Sequence, residues 1–142
     1  MVHALQEIGR VLVTEGHIVD LRPITDRWPI EISSEQNIRQ LGRLLDLPAA
    51  LADDAAANEA ISQVSQAGWL VLKKQEIFDF FYYWDTPEEM LEYIQEEWDD
   101  FISVPKHVQA KIQKFWVNSE PGWRIRIRIK MLIALWKKQS GN

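Results

Sequence analysis

The chain has 142 residues, 46% of them hydrophobic, which is the length of one domain (residues 1–142) and enough apolar side chain for a core. It has no cysteine, which excludes disulfides, thiolate metal sites and a cysteine nucleophile, and fits a reducing, cytoplasmic setting. Sixteen Lys and Arg against 21 Asp and Glu leave a net charge of -5, the wrong sign for a protein that wraps nucleic acid; Met1 to Glu7 lacks the build of a signal peptide, and no stretch reaches membrane-spanning length without a charge.

Val2, Leu5, Ile8, Val11 and Leu12 recur at helical spacing, and Gly16 offers a left-handed residue to end that helix. His17 to Leu21 reads as a strand stopped by Arg22-Pro23. Trp28 to Ile32 and Ile38 to Leu44 alternate about a turn-rich Ser33 to Asn37, which predicts a small hairpin; a short helix from Glu35 is the alternative. Residues 48–67 are alanine-rich and predict a helix with Leu51, Ala55, Ile61 and Val64 on one face, released at Gly68.

Trp69 to Trp84 is strongly β-prone and apolar on both faces, the pattern of an interior strand. Thr86-Pro87-Glu88-Glu89 is a capping box, and Met90, Leu91, Ile94, Trp98 and Phe101 form the stripe of the helix it opens. A further helix is predicted from Pro105 to Val117 on Val108, Ile112, Phe115 and Trp116, closed by a turn over Asn118 to Gly122. In the last strand Ile125, Ile127, Ile129, Met131 and Ile133 share one face, and Arg124, Arg126, Arg128 and Lys130 share the other. The expected fold class is α+β.

Ala4 to Leu12, then Thr14-Glu15-Gly16, then Ile18 to Pro23 resemble the helix, turn and fifth strand of class I S-adenosylmethionine-dependent methyltransferases. Val13-Thr14-Glu15-Gly16 replaces the family's glycine-rich turn and keeps its final glycine. The later elements follow in the family's order: an insertion with a helix, a long strand over Ile77 to Tyr83, helices, and a terminal strand over Trp123 to Trp136 like the family's antiparallel seventh. The resemblance thus implies the C-terminal half of such an enzyme, a partial Rossmann-like sheet of mixed and antiparallel strands packed against helices. The family's cofactor-binding half has no counterpart, since no Gly-x-Gly follows a strand. The expectation is therefore a non-catalytic or partner-completed domain with no cofactor of its own, S-adenosylmethionine entering only with a partner chain.

Among the candidate site residues, Asp20 and Arg22 sit at a strand end, where crevice ligands bind in open α/β sheets, or form a simple ion pair. The Arg124 to Lys130 ladder suits a polyanion, but Glu76 and Asp79 are available to neutralise it across strands, and in a chain this acidic internal pairing is the favoured reading. His3, His17 and His107 lack metal-ligand spacing, and no serine sits in a nucleophile elbow. If an aromatic pocket exists, Asp79, Tyr82, Tyr83, Trp84 and Arg126 line it, and a free-standing α+β small-molecule binding domain is the rival function. A half-sheet also leaves the 17–21 strand edge and the apolar face around Ile18 and Leu21 uncovered, so a homodimer through that edge or that face, or a cofactor-binding partner chain, is expected.

Overall fold

The computed structural model describes residues 2–139 and has an α+β fold, a largely antiparallel sheet packed against helices. In chain order the elements are α1 Val2–Val11, β1 His17–Pro23, β2 Pro29–Ser33, β3 Ile38–Arg43, β4 Leu45–Asp46, α2 Pro48–Gln66, β5 Leu70–Trp84, α3 Pro87–Tyr93, β6 Ile102–Ser103, α4 Lys106–Val117 and β7 Arg124–Lys138. They group into two compact units: unit one takes Met1–Ile24, Ala52–Phe78 and Met131–Asn142, and unit two takes Thr25–Leu51 and Asp79–Lys130. The two long strands β5 and β7 each contribute to both. No helix among the described residues is long and apolar enough to cross a membrane.

In unit one, β1 pairs antiparallel with β7 from His17↔Lys137 to Pro23↔Met131. The strand outlasts the expected stop at Arg22 because a proline at its last residue, on an edge, leaves no ladder donor missing. α1 closes differently from the expected glycine stop. Glu15, not Gly16, takes the left-handed conformation (φ 66°). Gly16 is needed for space, since a Cβ there would lie 2.6 Å from the Leu12 side chain and 2.7 Å from the Val13 carbonyl oxygen. Lys138 Nζ then donates to the Gly9 and Leu12 carbonyls at 2.7 and 2.8 Å, so a cation satisfies the free carbonyls at the helix end.

α2 ends as its sequence predicts. Gly68 (φ 74°) donates to Ser65 O at 3.0 Å and Trp69 N to Val64 O at 3.0 Å, the paired bonds of a Schellman motif. Its buried face is Ala57, Ala60 and Val64; Leu51 and Ala55, expected on that face, are exposed, because the contact stripe lies on the opposite side of the helix, roughly 180° round the axis. Val64, Leu70, Ala134 and Trp136 form the core of unit one, with Leu5, Ile18 and Ile61 packed against it. Ile18 and Leu21, grouped above as one apolar surface, point to opposite faces because side chains alternate along a strand. Ile18 reaches the core, while Val19 and Leu21 stay 60% and 56% exposed.

In unit two, β2 lies between β3 and the first part of β7, antiparallel to both. The 28–44 hairpin is present, and its imperfect alternation has a cause. A bulge sets Ile30 opposite Gly42 and Glu31 opposite Gln40, so Leu41 is the extra residue and turns into the core. Gly42 lets α4 approach, for a Cβ there would sit 2.6 Å from Val108 Cγ2. Ile30, Ile32, Met90, Val108, Ile112, Ile125 and Ile127 are among the most deeply buried side chains of the unit.

The capping box of α3 is complete: Thr86 Oγ1 accepts from Glu89 N at 3.3 Å, and Glu89 Oε2 accepts from Thr86 N at 3.3 Å. The single long helix expected after it is instead α3 followed by a π-helical turn over Ile94–Trp98, and Phe101 is exposed. Pro105 caps α4, so that helix begins one residue later than expected. Along β7 the expected face holds for Ile125, Ile127 and Ile129, but in unit one burial passes to Leu132, Ala134 and Trp136, leaving Met131 and Ile133 half-buried.

β5 departs most from expectation. It is a strand of the right length, but residues 72–80 are exposed on both faces, and β7 is its sole strand neighbour among the described residues. An apolar pattern on both faces marked an interior strand; here it belongs to an edge.

Candidate functional site

Unit two carries the densest polar arrangement, built by three strands. β2 presents Glu31 between two core isoleucines, and β7 presents Arg126 directly opposite it. Glu31 Oε2 accepts from Arg126 Nε at 2.8 Å and lies 2.7 Å from Arg126 Nη2, while Oε1 accepts from Arg128 Nε at 3.0 Å. Glu31 is 5% and Arg126 9% exposed, so the ion pair is held away from water. From β5, Tyr83 Oη accepts from Arg126 Nη1 at 2.8 Å, and the Phe81 ring lies 4.3 Å from the guanidinium carbon. Burial by itself pulls the Arg126 pKa down, but the bonds to Tyr83 and Glu31 together outweigh it and raise it.

The rest of the basic ladder is neutralised in the same way. Arg128 Nη1 lies 3.7 Å from Asp79, Lys130 Nζ 2.5 Å from Asp26, and Arg124 Nε donates to Asp85 at 2.9 Å. Internal pairing is thus what the ladder does. Asp79 takes part as anticipated, whereas Glu76 pairs with its strand neighbour Lys74 at 2.6 Å. With each acceptor oxygen of Glu31 occupied and each guanidinium balanced by a carboxylate, the cluster holds three strands in register.

On the other side of β5, Tyr82 and Trp84 meet Tyr93 and Trp98 in a four-ring cluster in which all six ring pairs have centroids 5.1–6.3 Å apart. The π turn makes this possible. Five residues of regular α-helix would set Tyr93 and Trp98 about 140° apart round the axis, whereas the wider turn brings their rings to 5.1 Å. Burial, and then the bond with Tyr82, raise the Tyr93 pKa. Rings in direct contact leave no space for a ligand between them.

In unit one, Arg22 is a clamp. Its Nε donates to Asp20 at 3.3 Å, Nη1 to Asp54 at 3.0 Å and Nη2 to Asn58 at 2.7 Å, which ties β1 to one side of α2. The candidate residues therefore fall into three groups: Asp20 with Arg22; Asp79 and Tyr83 with Arg126; and Tyr82 with Trp84. Sequence reasoning missed Glu31, Asp26 and Asp85 as partners of the ladder, and Asp54 and Asn58 as partners of Arg22. The signals were an acid flanked by isoleucines in a strand, and two acceptors four residues apart on an alanine-rich helix.

Clefts open in both units. One, of 310 Å³ in unit one, is lined by Leu5, Gln6, Gly9, Val64, Trp69 and Leu70 among others. Another, of 510 Å³ in unit two, is lined by Arg39, Lys111, Lys114, Leu41 and Phe115 among others, with Arg39 stacked 5.5 Å over the Phe115 ring. No three metal-ligating side chains converge among the described residues. No protein-family model matches the chain, no curated protein matches its sequence, and no solved structure matches its fold.

Proposed function

We propose that this chain is a methyltransferase-related partial domain, non-catalytic by itself, whose unit-one sheet is completed by a partner chain that carries the S-adenosylmethionine site. The observation that carries this reading is the arrangement of unit one. A helix, a glycine turn and a strand open the unit, the terminal strand β7 runs antiparallel to that strand, and the far edge of β1 is unpaired among the described residues. Val19 and Leu21 stand exposed beside that edge, which is what a strand waiting for a neighbour presents. The polar clusters support the non-catalytic half of the proposal, because their carboxylates and guanidiniums are consumed by one another. Calorimetric titration of the purified chain with S-adenosylmethionine tests it: the reading predicts no heat of binding, and saturable binding by the chain alone would overturn it.

The 510 Å³ cleft favours a second reading, a free-standing small-molecule binding domain. Its volume is that of a ligand site, and Arg39, Lys111 and Lys114 line it without an ion-pair partner among the described residues. An anionic ligand carried through purification and seen in native mass spectra would establish that reading over the first.

A further inference from the structure

β5 exposes more than any other strand. From Leu72 to Phe78, all within unit one, every side chain is exposed, with Leu72 42%, Ile77 56% and Phe78 39% accessible. Among the described residues the strand pairs with β7 alone, so its other edge presents a row of free backbone donors and acceptors. The segment has no proline and is protected only by Lys73, Lys74 and Glu76. An edge of this length that is left bare recruits strands without control.

We propose that the β5 edge is covered by the β5 of a second copy of the chain, paired antiparallel about a two-fold axis through Gln75. The charge pattern selects both the occupant and the register. An isologous pair of identical strands is necessarily antiparallel, and residue 75 + k then faces residue 75 − k of the partner. With the axis at Gln75, Lys74 faces Glu76, Leu72 faces Phe78, and the amide of Gln75 faces itself. Because Lys74 and Glu76 already bridge within the strand at 2.6 Å, the two copies together form a square of alternating charge.

Neighbouring registers lose this. An axis at Glu76 sets that carboxylate against its own copy and Lys74 against Phe78; an axis at Lys74 sets two ammonium groups together and Leu72 against Glu76; an axis at Ile77 sets Glu76 against Phe78. A strand whose charges complement themselves at one register is suited to a second copy of itself. The inference does not rest on the methyltransferase reading, which concerns the opposite edge at β1, and the two succeed or fail separately.

The chain has no cysteine, so a single introduced thiol reports the register. In Gln75→Cys the two sulfurs would lie across the axis, where facing Cα atoms are about 4.5–5.5 Å apart, within disulfide reach. The wild-type chain is expected to sediment as a dimer. Q75C is expected to form a disulfide-linked dimer under mild oxidation, while Val19→Cys, on the β1 edge, stays monomeric on a non-reducing gel. Lys74→Glu should weaken the dimer by about tenfold or more, and K74E/E76K should return the dissociation constant to within about threefold of wild type. Circular dichroism separates weakened association from lost folding, since each variant is scored only with the wild-type spectrum and melting curve. A wild-type monomer at all concentrations, a dimer in which Q75C does not cross-link, or cross-linking through V19C would overturn the proposal.

Discussion

Replacing Glu31 with glutamine removes one negative charge from beneath two guanidiniums and turns an amide N–H toward donors that need an acceptor. In the native chain Glu31 takes bonds of 2.8 and 3.0 Å from Arg126 and Arg128, and its nearest charged partner, Arg126, is 9% exposed. Arg128 is a third exposed and can turn toward Asp79, so its share of the loss is small. Arg126 keeps the Tyr83 hydroxyl and the Phe81 ring but loses the carboxylate it is paired with. Breaking a buried pair on one side costs about 3–5 kcal/mol, and the partial exposure of Arg128 places E31Q near the lower end, about 3 kcal/mol, or roughly 10 °C in Tm. Denaturation followed by tryptophan fluorescence reads this well, because Trp28, Trp84, Trp98, Trp116 and Trp123 all lie in unit two. Arg126→Met added to E31Q should cost much less than the sum of the single changes, with a coupling of about 2 kcal/mol. A loss under about 1 kcal/mol for E31Q would refute the buried-counter-ion argument.

Gly42→Ala should destabilise by about 1–3 kcal/mol in urea melts through overpacking against Val108, and V108A in the same chain should recover most of it. Tyr93, whose pKa is raised by burial first, should ionise at higher pH than the ordinary value of about 10. The folded state then holds that proton more tightly than the unfolded chain, so its contribution to stability is intact below about pH 10 and falls as pH rises toward the folded pKa. Ultraviolet absorbance titration of wild type and Y93F would show the late-titrating phenol lost in the variant.

Much of the local structure was legible because its causes are local. The capping box at Thr86, the glycine stop at Gly68 and the hairpin about Ser33 to Asn37 each depend on residues a few positions apart. Errors arose where distant residues decide. The Trp69 to Trp84 run looks interior because both its faces are apolar, and only the absence of a second neighbouring strand reveals an edge. The candidate residues Asp20, Arg22, Asp79, Tyr82, Tyr83, Trp84 and Arg126 all take part in clusters. Alternation puts Tyr82 and Tyr83 in different ones, however, and Glu31, though marked by its flanking isoleucines, is matched to both arginines only by the register of β2 on β7. The π turn was invisible for the same reason: it is set by the demand that Trp98 join Tyr93, Tyr82 and Trp84 in one cluster.

The central claim is that unit one has two sheet edges with different fates, β1 open toward a partner chain and β5 closed by a second copy. Amide hydrogen exchange on the purified chain tests both together. The account predicts that alternate amides of β1, those turned away from β7, exchange at the rate of exposed backbone, while both sets of amides from Leu72 to Phe78 are protected at concentrations where the dimer forms. Protection of every β1 amide together with rapid exchange of the outward β5 amides would contradict it, and would move the self-pairing edge to β1.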